Sequence, residues 1–177
     1  MNVNELINTG SASTEQALAL FDVLEPVPVE FMLGPWKGEG FQTNHPMDGL
    51  LEAYHWYGKR FESTEAVHPL VFKTLGGGFA YLNPAFMGPS LGLSSRVAMP
   101  KSAAAGRMFQ TFIPLMSTNK SRARLRMTEY RGKSSATMVY DQLPINDVFR
   151  KVDDNTVFGV MDLKGMKQPF FFVLRRE

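Results

Sequence analysis

A phenol and two carboxyls flank one proline turn: Tyr140-Asp141 precedes Leu143-Pro144-Ile145-Asn146, and Asp147-Val148-Phe149-Arg150 follows it. Held together over a bound small molecule, Tyr140 and Asp141 could transfer a proton, provided a carboxyl faces an apolar interior that perturbs its pKa. Carboxylates beside such a turn more simply accept hydrogen bonds from exposed backbone, and that role is the expected one. Arg122, Arg124 and Arg126 recur at period two, and guanidinium forks fit a carboxylate or phosphate headgroup. The expected reading of the row is a solvated outer face paired to acidic neighbours. One inward arginine, Arg126 before Arg124, is retained as a ligand-binding candidate.

Several other chemistries lose their support. His45, His55 and His68 are spaced ten and thirteen residues apart, which matches no metal-ligand pattern. The chain has no cysteine, so disulfides and thiolate chemistry are absent. Gly132-Lys133-Ser134 has Met127 where a phosphate loop needs its first glycine, and Gly38 and Gly40 are followed by Thr43 instead of a third glycine. Gly92-Leu93-Ser94-Ser95-Arg96 ends in arginine where a nucleophile elbow needs glycine. No metal, cofactor or catalytic residue is therefore expected.

The remaining candidates are apolar. Met138 and Tyr140 share one strand face, as do Gly159 and Met161, and Phe170, Phe172 and Leu174. These sets either line a cavity or fill it. Eleven Met and fourteen Phe favour an adaptable lining for an apolar chain. Trp56 and Lys59 complete the ligand-binding set.

The 177 residues suit one domain with a core of its own. A formal charge of +2 is a near balance and not a polycation, so nucleic acid is not an expected partner. Met1 to Gly10 has no basic leader region and no apolar run is long enough to span a bilayer, so a cytoplasmic location is expected. The expected partner is an apolar small molecule or lipid, with transient membrane contact during its transfer. Oligomeric state is not encoded in any visible pattern.

The element that must organise these residues is Gly34-Pro35-Trp36-Lys37-Gly38-Glu39-Gly40-Phe41, a large ring among small residues that plugs the closed end of a strand assembly. Before it, Thr14 to Leu24 reads as a helix with Ala17, Leu20, Phe21 and Leu24 on one face, ended by Pro26 and Pro28. After it come a second short helix within Met47 to Tyr57 and a strand from Trp56 to Phe61. A strand in Val67 to Leu75 is expected at an edge, or to begin at Leu70, because of Pro69. Gly76 to Gly106 is irregular yet apolar, and it and the N-terminal helix are assigned as cap or lid. From Arg122 on, tight turns at Arg131-Gly132-Lys133, Leu143 to Asn146, Asp153 to Asn155 and Lys164 to Lys167 join strands into an antiparallel meander. With the earlier strands, about eight are available, enough to close a barrel. The expected fold is mainly β, with residues 1–33 as helix and lead-in and 34–177 as one barrel domain, of which 34–90 and 120–177 form the two parts.

Gly34-Pro35-Trp36-Lys37-Gly38 resembles the signature of the GXWXG family. Ala123-Arg124-Leu125-Arg126, Glu129 to Lys133, Met138 to Asp141, Pro144 to Asp147 and Phe149-Arg150 resemble the C-terminal domain of unknown function that accompanies it. The resemblance implies a lipocalin-like or fatty-acid-binding-protein-like β-barrel that binds or transports a lipid, fatty acid or similar apolar molecule. An enzyme or isomerase using the pocket is the alternative. A haem-binding nitrobindin-like protein is disfavoured, since no histidine follows His68. The resemblance further implies a structural set of Gly34, Trp36 and Gly38, with a basic residue of the last strand, Arg175 or its neighbour Arg176, stacked on Trp36.

Overall fold

The computed structural model describes residues 3–87 and 100–177, so part of the Gly76 to Gly106 stretch, with Gly92-Leu93-Ser94-Ser95-Arg96, lies outside the described residues. Helices α1 (Val3–Thr9) and α2 (Thr14–Val23) lead into a short β1 (Glu25–Pro26), a 3-10 turn at Val29–Met32 and β2 (Gly34–Phe41). Then follow α3 (Leu50–Ala53), β3 (Trp56–Phe61), β4 (Val67–Lys73), β5 (Phe79–Tyr81) and α4 (Ala103–Met116). The meander consists of β6 (Ala123–Tyr130), β7 (Lys133–Tyr140), β8 (Ile145–Asp153), β9 (Thr156–Leu163) and β10 (Phe170–Arg176).

All strand pairings are antiparallel, and they run in a ring: β8, β7, β6, β4, β3, β2, β10, β9 and back to β8. The β4–β6 seam is the weakest, with only Val67 and Ala123 in register. Bonds from Arg122 N to Val67 O and from Leu125 N to Thr64 O extend it. Near the opposite end of β7 the chain at Val27 inserts beside β8, where Ser135 Oγ donates to Phe149 O and accepts from Val27 N.

Alternation along the strands separates two apolar layers. Inside the ring lie Trp36, Trp56, Phe61, Met138, Tyr140, Phe149, Met161, Phe170, Phe172 and Leu174. Outside, Phe41, Val148, Phe158, Val160, Phe171 and Val173 are covered by Ala17, Leu20, Phe21 and Leu24 of α2. The helix starts where expected because Ser13 and Gln16 form a capping box. Its position differs from the cap or lid expected of it: α2 covers the outer face of the sheet.

The short helix expected within Met47 to Tyr57 is present as the single turn Leu50–Ala53, bracketed by positive φ at Gly49 (78°) and His55 (61°). One further expectation is corrected. Pro69 lies within β4, between β3 and the strands beyond, and not at its start or an edge. The β3–β4 register slips between Gly58 and Arg60, opposite Pro69, so its missing N–H falls where the ladder is already interrupted. α4 has no counterpart in the expected elements. Ser102 Oγ caps it through Ala105 N, and Gly106 lets it cross close to α3, where an added Cβ would come within 2.2 Å of Ala53 O.

Candidate functional site

Strict alternation along β3 would put Trp56 and Lys59 on opposite faces. The slip at Gly58, whose φ is 152°, changes the phase, so that Trp56, Lys59 and Phe61 all belong to the interior. Only glycine fits there, since a Cβ on Gly58 would lie 1.9 Å from Trp36 O. β8 supplies the partner: Asp147 and Phe149 point inward while Val148 faces the outer layer.

Lys59 Nζ donates to Asp147 Oδ2 at 2.7 Å and to Pro69 O at 3.2 Å, with side-chain exposures of 3% and 2% for the two ions. The ammonium also lies over the rings of Phe172 (5.0 Å), Trp56 (5.5 Å) and Tyr140 (5.9 Å). Burial pushes the Asp147 carboxyl up from its usual range, and the charge and hydrogen bond of Lys59 pull against it. Burial, and then the Asp147 charge, hold the Tyr140 phenol well above its usual pKa, so it stays protonated. Asp147 Oδ1 and Trp56 Nε1 are buried without a hydrogen-bond partner.

These groups border a cavity of about 50 Å³, room for a few water molecules. Its walls are otherwise apolar: Met47, Leu51, Leu70, Leu143, Ile145 and Met161 among them. Of the ligand-binding residues expected from sequence, Trp56, Lys59, Tyr140, Met161, Phe170 and Phe172 line it. Met138 is buried in the interior but lies off the cavity.

Arg126 is a correction. It is turned outward and pairs with Glu65 at 2.7 Å, with 43% of its side chain exposed, because Ala123 and Leu125 take the inner face of β6. Arg126→Ala should shift stability by less than about 0.5 kcal/mol in urea denaturation and leave ligand affinity unchanged. Tyr140 and Asp141 are also separated by alternation: Asp141 is exposed, 3.8 Å from Arg124, so the proton-transfer pair read from sequence is not assembled. The carboxyl that does face the interior is Asp147, which sequence reasoning assigned to the turn. None of the three histidines lines the cavity. His45 accepts from Met47 N and bonds Gln168 O, His68 stacks on Tyr81, and among the described residues no group of three or more His, Cys, Asp or Glu could hold a metal.

Residues 19–77 match the family described as GXWXG protein, and residues 121–176 match a domain of unknown function, DUF4334. The chain carries a GXWXG segment followed by a DUF4334 domain. A crystal structure of a protein from Thermomonospora curvata is similar to it over 98% of this chain and 95% of that one, at 32% identity and a TM-score of 0.71. No curated protein matches the chain at a significant level. The site spans both matched segments: Trp56 and Lys59 come from the GXWXG part, Tyr140, Asp147, Met161, Phe170 and Phe172 from DUF4334.

The GXWXG motif itself acts behind the cavity. Trp36 is 1% exposed, donates from Nε1 to Met32 O at 2.7 Å, and packs against the 3-10 turn without lining the cavity. Gly38 makes room for the cavity wall: a Cβ there would fall 2.1 Å from Trp56 Cη2. Gly34, at a φ of 113°, begins the strand. Arg176, not Arg175, covers the motif tryptophan, at 4.3 Å from its ring, while donating to Phe31 O and Leu33 O. Register explains the correction: Arg176 pairs with Trp36, whereas Arg175 pairs with Lys37 and salt-bridges Glu39 at 3.0 Å. Arg176→Ala should therefore cost about 1–2 kcal/mol, and Arg175→Ala less than about 1 kcal/mol, both read from urea midpoints.

Proposed function

We propose that the ring of strands is a lipocalin-like β-barrel that binds a lipid-like or other apolar small molecule of compact shape in its interior. The observation that carries this reading is a cavity with apolar walls and one convergent polar group, the Lys59–Asp147 pair. Its present volume, about 50 Å³, is far below the roughly 300 Å³ and more of a formed ligand site. A guest must therefore displace wall side chains such as Met47 and Met161, which a compact molecule does at less cost than an extended acyl chain. Apolar burial would drive binding at about 0.8 kcal/mol per methylene. Carriage of such a molecule through the cytoplasm belongs to the same proposal. Among the described residues no helix is long and apolar enough to cross a membrane.

Native mass spectrometry of the purified chain, followed by thermal unfolding with added compounds, tests it. A guest at a hundredfold excess over its Kd should raise Tm by about 5–10 °C, because it binds the folded state alone. A ligand-free protein whose Tm ignores every apolar compound offered would overturn the proposal.

Asp147 supports a second reading, proton transfer on the bound molecule, because it lines the cavity, its carboxyl is buried and raised, and one of its oxygens has no hydrogen-bond partner. In that case Asp147→Asn would abolish turnover while a bound product analogue still raised Tm.

A further inference from the structure

We propose that the polar end of the bound molecule is a neutral hydroxyl, held by donation to Asp147 Oδ1 and acceptance from Lys59 or Trp56 Nε1. The inference rests on the small-molecule reading above and asks what chemistry the interior selects. Two of the three Lys59 donors are already used, on Asp147 Oδ2 and Pro69 O. Asp147 is therefore the counter-ion of Lys59, and the pair presents no net positive charge to a guest. Among the residues that line the cavity, Asp147 Oδ1 lacks a donor and the Trp56 indole N–H lacks an acceptor, and one Lys59 ammonium N–H is not committed to a hydrogen bond.

A hydroxyl supplies one proton and two lone pairs, which answers that set. A ketone would accept from Lys59 or Trp56 but leave Asp147 Oδ1 buried and bare. A hydrocarbon would leave all of them bare. A carboxylate would set a second negative charge beside Asp147 in an apolar surround, which is the least favourable case. The site thus opposes the fatty-acid headgroup that an inward arginine would have served. With Arg126 outside, the interior cation is one that already has its anion.

The test is the affinity of the whole chain for four probes of one size, by calorimetric titration: cyclohexanol, cyclohexanone, methylcyclohexane and cyclohexanecarboxylate. Cyclohexanol should bind at least about tenfold tighter than the ketone and the hydrocarbon, with the carboxylate weakest. In the paired variant Lys59→Met/Asp147→Leu, which removes both charges together, the preference for the alcohol should vanish while methylcyclohexane still binds. Equal binding of ketone, hydrocarbon or carboxylate by the wild type, or a preference that survives in the paired variant, overturns the hydroxyl assignment alone. If none of the four binds, the small-molecule reading falls and takes this inference with it.

Discussion

Lys59→Met should lower stability by about 3–5 kcal/mol at pH 7, and adding Asp147→Leu should restore most of it. The single change leaves a carboxylate buried in an apolar interior with its paired cation gone, while the paired change removes both desolvated charges and fills their place with apolar groups. pH sharpens the test. Without Lys59, the pull that opposes burial is lost, so Asp147 is held further above its unfolded value. A group raised in the folded state contributes its stability at low pH and loses it as pH rises through the folded pKa. The deficit of the single variant against the paired one should therefore grow from acid toward neutral pH in urea denaturation. A deficit below about 1 kcal/mol and flat with pH would mean that the two side chains are solvated.

Among the described glycines, Gly58→Ala should be the most damaging methyl addition, at about 3 kcal/mol or more. The new Cβ would meet the Trp36 carbonyl, which is backbone and cannot swing aside, and the φ of 152° is strained for alanine. Its consequence is also local. Relief requires β3 to lose its slip, which returns Lys59 or Trp56 to the outer face and dismantles the cavity wall. Gly132→Ala, in an open hairpin turn with positive φ but no neighbour within 4 Å, serves as the comparison for strain without collision. Urea midpoints of the two variants should differ by more than about 1 kcal/mol.

The strands of the meander were legible because apolar and polar residues alternate between tight turns. Phe170, Phe172 and Leu174, and likewise Met138 and Tyr140, could be put on one face without coordinates. Asp147 could not, since β8 is buried on both sides: Val148 and Arg150 lie under α2, so polar and apolar no longer report in and out. Lys59 finds its partner 88 residues away, and its inward direction depends on a slip that no period reveals. Parity decided Arg175 against Arg176, and parity follows from register with Trp36, which the sequence does not display. α4 had a cue in Ser102 before Ala103-Ala104-Ala105, but Pro114 and the surrounding glycines and prolines obscured it.

The most direct test of an apolar binding site inside the ring is methyl NMR of the eleven methionines during titration with cyclohexanol. Met47 and Met161 border the cavity, whereas Met108 and Met127 are exposed, on α4 and β6. The Met47 and Met161 resonances should move together and saturate, with those of Met108 and Met127 unchanged. Movement confined to Met108 and Met127, or no saturable movement at all, would contradict a guest held beside Lys59 and Asp147.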